Sequence, residues 1–361
     1  MNQISIKKIS ILILFLVEAS VFSQEISNKD IYSMVSKINT NVDSNFVYEY
    51  EQTKFVPPNG KTILIMGQTV EGINEYLDHF SDQPLPGGWA TYFGVTEFKG
   101  VTETYKNETG SSQNHQLLVD KFPNAVIQSA MWMVGKWNIP SYTVQGYYDK
   151  VLKKYAKWAK SVNRPIYLRI GYEFDGVHNE LNPDEYVEAY KYIVNFFRKQ
   201  KVENIAYVWH SYASEPYKSH PVSDWYPGDA YVDWVGVSVF GHAYNKDFGV
   251  YCNKVLDFAK THKKPVMIAE SSPIQGIPTE NPEVWDDWFV NFFSFIYNKN
   301  IKAVSFINEN WQDLNIPGIG EWKDARLSNN QNVAKAWFKE VGKDKYLKQS
   351  EDLYIALGYS N

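Results

Sequence analysis

Two glutamates offer the clearest chemistry in the chain. Glu173 lies in Ile166-Tyr167-Leu168-Arg169-Ile170-Gly171-Tyr172-Glu173-Phe174-Asp175-Gly176, and Glu270 closes Pro265-Val266-Met267-Ile268-Ala269-Glu270 ahead of Ser271 and Ser272. Each follows a short apolar run of strand character, which puts each carboxylate at a strand tip. One glutamate at such a place is usually a cap or an ion pair. Two that face each other across a sugar-sized cleft can hydrolyse a glycoside: one protonates the departing oxygen, and the other attacks the anomeric carbon or activates water. Tyr172 and Phe174 give Glu173 an apolar setting, expected to raise its pKa and keep it protonated near neutral pH. The hydroxyls and backbone N–H groups of Ser271 and Ser272 are expected to hold Glu270 ionised. Arg169 either lends positive charge to the site or makes a structural ion pair.

The elements that must position these groups alternate along the chain. Strands are expected at Thr62–Met66, Thr91–Val95, Ala125–Met131, Pro165–Ile170, Ile205–Trp209, Val232–Phe240, Pro265–Ala269 and Ala303–Ile307. Amphipathic helices are expected at Val144–Ser161, Pro183–Lys199, Tyr251–His262 and Pro282–Tyr297, with Pro-Asp-Glu and Pro-Glu starts that suit helix N-termini. Eight strands alternating with helices over residues 62–341 predict an α/β fold, a (β/α)8 TIM barrel with catalytic groups at the C-terminal ends of its strands. The rival doubly wound sheet lacks its mark, because no Gly-rich phosphate or dinucleotide loop follows an early strand.

Composition narrows the partners. With 36 Lys+Arg against 41 Asp+Glu the net charge is −5, which removes the basic footprint of a nucleic-acid binder. The single cysteine, Cys252, forbids an internal disulfide, and no histidine pair has metal-ligand spacing, so no metal and no cofactor are expected. Aromatic residues make up 16% of the chain, more than a core this size requires, so some should line a binding surface. Strand-end aromatics are natural sugar platforms: Trp311 beneath the reacting sugar, Trp209 with His210 after the fifth strand, and Trp225 in the following loop. His242 also falls at a strand end.

Lys7 and Lys8, the apolar run Ile9–Val17 and the small residues before Gln24 read as a signal peptide over 1–23, with cleavage near Ser23. The run is shorter than the roughly 20 residues of a bilayer span. An N-terminal extension over 24–60 and one catalytic domain over 61–361 should follow, giving a secreted monomer with no membrane anchor. The chain ends soon after the barrel, so no appended carbohydrate-binding module is expected.

Six ordered motifs sharpen this reading: Arg164-Pro165-Ile166-Tyr167-Leu168-Arg169, Tyr172-Glu173-Phe174-Asp175-Gly176, Trp225-Tyr226-Pro227-Gly228-Asp229, Val232-Asp233-Trp234-Val235-Gly236, Glu270-Ser271-Ser272-Pro273 and Ile307-Asn308-Glu309-Asn310-Trp311. With Gly67-Gln68-Thr69-Val70 near the start, they resemble glycoside hydrolase family 26 of clan A, and within it the marine bacterial endo-β-1,3-xylanases. The resemblance implies a retaining double displacement on a polysaccharide or oligosaccharide, with Glu173 as acid/base and Glu270 as nucleophile. It places Gln68, Arg169, Tyr172, Asp175, Trp209, His210, Trp225, Phe240, His242, Asn308 and Trp311 at the substrate. Tyr172 stands where family mannanases carry His, and Val239-Phe240 where they carry a Tyr that bonds the nucleophile; both departures favour β-1,3-xylan. Against the marine xylanases, Val177-His178-Asn179-Glu180 replaces Pro-Trp-Asn-Gly, so a substrate-facing Trp is missing. Mannan or β-glucan cleavage, or a catalytically inactive sugar-binding barrel, are the alternatives. Survival of both carboxylates speaks for catalysis.

Overall fold

The computed structural model describes residues 27–43, 49–135, 137–215, 220–241, 244, 249–316 and 319–360. The leader expected over 1–23 lies outside them. Eight parallel strands form the barrel: β1 Thr62–Gly67, β2 Gly88–Gly94, β3 Val126–Trp132, β4 Ile166–Ile170, β5 Ile205–Ser211, β6 Trp234–Val239, β7 Val266–Ser271 and β8 Ala303–Ile307. Neighbours pair in chain order, and β8 pairs with β1 to close the ring. The expected fold is therefore present. β2 starts at Gly88 rather than Thr91, since Gly88, Trp89 and Ala90 are already buried.

Helices cover the outside. The helix expected over Val144–Ser161 is two, Ile139–Val144 and Asp149–Val162, broken near Gly146, whose φ of +82° no helix accommodates. The stretch expected over Pro282–Tyr297 begins with a π-helical turn, Trp285–Phe289, before Val290–Asn298. Helices Val70–Phe80, His115–Lys121 and Gln331–Val341 also pack on the ring. Helix Asn28–Ser36, in the N-terminal segment, buries Ile31, Met34 and Val35, and Trp285 donates its indole N–H to the Met34 carbonyl at 2.9 Å. Among the described residues no helix is long and apolar enough to cross a membrane.

Alternation along each strand sorts the side chains. Ile63, Ile65, Ala90, Val126, Tyr167, Val208, Trp234, Met267 and Ala303 fill the N-terminal half of the barrel, plugged from below by Phe55, Leu353 and Leu357. One step of two residues further up, the inward positions turn polar: Tyr92, Gln128, Arg169 and His210.

Glu270 would miss this layer by alternation alone, because Met267 and Ala269 point inward and Ile268 faces the helices. An irregularity in the β6–β7 register corrects it. Gly236 pairs with Met267 and Val237 with Ile268, but Ser238 pairs with Glu270, so Ala269 is the extra residue of a bulge. A one-residue insertion flips everything beyond it to the other face, and Glu270 enters the lumen beside Ser238. Gln128 of β3 reaches across and donates its amide N–H to the carbonyl of Ala269 at 2.7 Å. Its own amide oxygen has no partner among the described residues.

Gln128→Met, close in volume, should destabilise the protein by about 1 to 2 kcal/mol, because it strands the buried Ala269 carbonyl while removing an unpaired oxygen. Urea unfolding checks this. Unchanged stability would mean that the bulge does not depend on Gln128.

Candidate active site

Both glutamates sit at the C-terminal mouth of the barrel. Glu270 is the next-to-last residue of β7. Glu173 follows β4 by three residues with a φ of +52°, after Gly171 at +54°, so the chain passes twice through the left-handed region to turn this carboxyl inward. Such a conformation costs a non-glycine residue of order 1 kcal/mol and persists only where the surroundings enforce it. Here Asn179 does so, donating its side-chain N–H groups to the carbonyls of Tyr172 and Glu173 at 3.0 and 2.8 Å.

Glu270 Oε1 accepts a hydrogen bond from Arg169 Nη1 at 2.5 Å and another from the Tyr92 hydroxyl at 2.6 Å. Arg169 is wholly buried, with its guanidinium 5.1 Å from the Tyr92 ring centre and 5.3 Å from that of Tyr172. The same Nη1 lies 3.3 Å from His210 Nδ1. Since arginine only donates, His210 presents Nδ1 as acceptor and carries its proton on Nε2, 3.0 Å from Ser238 Oγ. Burial and the Arg169 charge push the His210 pKa well down, in keeping with that neutral tautomer. Ser238 then donates to Glu173 Oε1, and His178 Nε2 lies 2.8 Å from Glu173 Oε2. A continuous chain, Glu270–Arg169–His210–Ser238–Glu173, links the two carboxyl groups.

Burial pushes the Glu270 pKa up; Arg169 pulls against it, Glu173 adds to it, and Tyr92 again opposes. The Tyr92 phenol is pushed well up by burial and by the Glu270 charge, so it stays a donor.

Several expectations about the site are corrected. The serines do not hold Glu270: Ser271 donates to the Ser305 carbonyl at 2.7 Å, and Ser272 accepts from the Trp311 indole at 3.0 Å. Phe174 does not surround the Glu173 carboxyl, because its ring stacks on Trp209 at 4.6 Å in the outer core. Trp209 and Trp225 are fully buried there, the Trp209 indole donating to the Trp225 carbonyl, so neither reaches the mouth. Alternation explains this: with Val208 and His210 inside, Trp209 must face the helices. Asp175 is also buried; it accepts from Ser211 Oγ, the Tyr212 N–H and the Tyr251 hydroxyl, and burial raises its pKa to about 6. It fastens the β4 turn to β5. Asn308 is spent on structure as well, bonding the Gly72 carbonyl, Glu75 and the Leu327 N–H.

Gln68 and Tyr172 remain at the mouth, Gln68 in contact with the Tyr92 hydroxyl and the Tyr172 ring 5.3 Å from that of Tyr92. Phe240 and Trp311 sit in a small cluster beside it with Ile307 and Ala325. Trp311 is only 3% exposed, and the half-buried Trp322 packs edge-on against it and at a tilt against Phe240. Trp322 is thus the more open ring. His242 lies outside the described residues. The sequence reading missed Tyr92, Ser238 and His178, although the alternation of β2 and β6 marks Tyr92 and Ser238 as inward once the strand limits are known. Among the described residues no group of three His, Cys, Asp or Glu is placed to hold a metal ion.

Comparison with known proteins identifies a domain within the chain. Residues 143–312 match the model of glycosyl hydrolase family 26. The chain carries a glycosyl hydrolase family 26 domain. This glycoside hydrolase is 26% identical over 334 residues to a beta-1,3-xylanase, TXYA, of a Vibrio species, covering 85% of this chain and 70% of that one. It is 27% identical over 328 residues to a beta-1,3-xylanase of an Alcaligenes species, covering 84% and 68%. Solved structures of similar fold include an endo-beta-1,4-mannanase double mutant of Cellulomonas fimi, with a TM-score of 0.56, 15% identity and coverage of 90% and 80%. A GH26 beta-mannanase of Bacteroides ovatus gives 0.55, 15%, and 84% and 93%. The barrel extends beyond the matched segment, since β1, β2 and β3 precede residue 143.

Tyr92→Phe removes a donor that lowers the Glu270 pKa. The acid limb of the pH–activity profile should therefore move to higher pH, with kcat/KM down on the order of 10-fold at its plateau. An unmoved limb would mean that Tyr92 does not act through Glu270.

Proposed function

We propose that the protein is a retaining endo-glycosidase that cleaves β-1,3-xylan by double displacement, with Glu270 as nucleophile and Glu173 as acid/base. The observation that carries the proposal is the unequal setting of the two carboxyl groups. Glu270 receives a guanidinium and a phenol on Oε1, while its Oε2 makes no hydrogen bond among the described residues and is free to attack. Glu173 is contacted by a hydroxyl and an imidazole, groups compatible with a carboxyl that gains and loses a proton each cycle.

In the first step Glu270 Oε2 bonds to the anomeric carbon as Glu173 gives its proton to the departing sugar oxygen. Water then attacks the glycosyl-enzyme ester, giving its proton to Glu173, and Glu270 leaves as carboxylate. Arg169 and Tyr92 answer the charge that returns to Glu270 at each departure. Gln68, Tyr172, Phe240, His242, Trp311 and Trp322 are proposed to line the cleft.

Support for β-1,3-xylan comes from the two relatives named for that activity, which align over most of the chain. A net charge of −5 favours a neutral glycan over a sulfated one. The basic and apolar leader supports export, with the enzyme acting as a monomer on polysaccharide outside the cytoplasm.

Products from β-1,3-xylan, β-1,4-xylan, mannan, laminarin and sulfated red-algal galactans test the reading. Oligosaccharides from β-1,3-xylan, and little from the galactans, are expected. Cleavage of mannan or anionic galactan alone would overturn the substrate, and no cleavage of any would overturn the activity.

A further inference from the structure

Glu173 presents its two carboxyl oxygens to different partners. Oε1 accepts from Ser238, the last donor of the chain that starts at Arg169, so its place is filled. Oε2 meets His178 Nε2 at 2.8 Å and is the oxygen left to carry a transferable proton. The imidazole is seated on three sides. A Cβ at Gly176 would come within 2.5 Å of the His178 ring, so the ring lies directly against that α-carbon and any larger residue there would displace it. The Gly176 N–H closes the turn on the Glu173 carbonyl at 2.8 Å, and Tyr212, just past β5, meets the imidazole edge-on with ring centres 5.2 Å apart.

Water reaches the fourth side of the ring, since 46% of the His178 side chain is exposed against 8% for Glu173. Protons therefore exchange with solvent more readily at the imidazole than at the carboxyl. The charged and titratable groups around it are Glu173 and Asp175 on its own turn, Glu270 on β7, His210 on β5 and Tyr212, with Glu180 and Glu185 on the wall of the cavity it lines. Burial pulls the His178 pKa down, but the bond to Glu173 and the charges of Glu173, Glu270 and Asp175 raise it by more, so it ends above the usual histidine value. His210 stays neutral beside Arg169, which leaves His178 as the imidazole that titrates here. Two proton-binding groups in direct contact give up their protons in steps that belong to the pair.

We infer that His178 is a positioning residue for the reacting proton: it keeps that proton at Glu173 Oε2, and acid and imidazole take it up and give it up as one pair. The inference rests on the reading of Glu173 as acid/base. In the free site the pair holds one proton, on the line between Oε2 and Nε2. As the glycosidic bond breaks, Oε2 passes this proton to the departing oxygen, leaving a carboxylate beside a neutral imidazole. When water attacks the glycosyl-enzyme, its proton returns to Oε2 and the pair is restored. The last proton of such a pair leaves at a higher pH than it would from a carboxyl alone, so the alkaline limb of activity is raised.

The test follows kcat/KM against pH for full-length parent and His178→Gln on two substrates. One is the polysaccharide that the parent cleaves fastest; the other is a 2,4-dinitrophenyl glycoside of its constituent disaccharide, whose phenolate departs without a proton. Glutamine can still donate an N–H to Oε2 but takes up no proton. On the polymer the alkaline limb should move down on the order of one pH unit, with kcat/KM above the limb lowered on the order of 10-fold. The aryl glycoside should show a far smaller loss. A polymer limb at the parental pH would overturn the inference, because the hydrogen bond alone would then suffice. Equal losses on both substrates would do the same, making His178 a structural residue. A second readout keeps the imidazole in place: in NMR titration the His178 pKa should fall in Glu173→Gln, and an unmoved value would sink the pairing. Glu173→Ala separates this inference from the reading beneath it. That variant should lose rate on the polymer and keep far more on the aryl glycoside; equal loss on both would refute Glu173 as the acid, and this inference with it.

Discussion

A guanidinium with no exposed surface must have its charge answered inside the barrel, and Arg169 imposes that condition on the whole site. An unpaired buried charge would cost several kcal/mol, so a carboxylate has to reach it. Glu270 does, and the faces of Tyr92 and Tyr172 close around the same cation. Arg169 also fixes the direction of every proton downstream. Because it can only donate, His210 is forced into one tautomer, Ser238 into the role of donor, and Glu173 into that of acceptor. The two carboxyl groups are therefore oriented by one charge.

Delivering Glu270 to Arg169 requires a departure from regular strand geometry. An unbroken β7 would aim this side chain at the helices, and the extra residue Ala269 turns it inward. Glu173 needs a different irregularity, the left-handed turn after β4. Neither carboxyl is positioned by ideal secondary structure. Regular strands supply the rigid frame, and local exceptions aim the two glutamates, the kind of place where strain and bulges concentrate in folded enzymes.

The barrel was legible because its eight strands are short apolar runs separated by amphipathic helices, and that periodicity reports burial directly. Glu173 and Glu270 were legible as polar residues ending such runs. What the sequence could not separate was the two faces of a strand end. Trp209 and His210 are adjacent and both conspicuous, yet one packs among helices and the other reaches the lumen. Asp175 and Asn308 fall in the right motifs but spend their hydrogen bonds on tying neighbouring elements together. Tyr92 was hidden for the opposite reason: it lies mid-run in β2, where an aromatic reads as core, and only closure of the ring brings it to a residue almost two hundred positions away. The bulge leaves no signature in composition or spacing, so the inward turn of Glu270 followed from no local pattern.

The central claim, that Arg169 and Tyr92 hold Glu270 ready to form a bond with the sugar, is tested most directly by trapping that bond. A 2-deoxy-2-fluoro glycosyl fluoride of the preferred disaccharide slows departure of the sugar more than its arrival, and peptide mass mapping locates the ester that accumulates. The account predicts one added glycosyl group per chain, on the peptide that carries Glu270. A label on Glu173, or turnover with inverted product and no label on either residue, would contradict it.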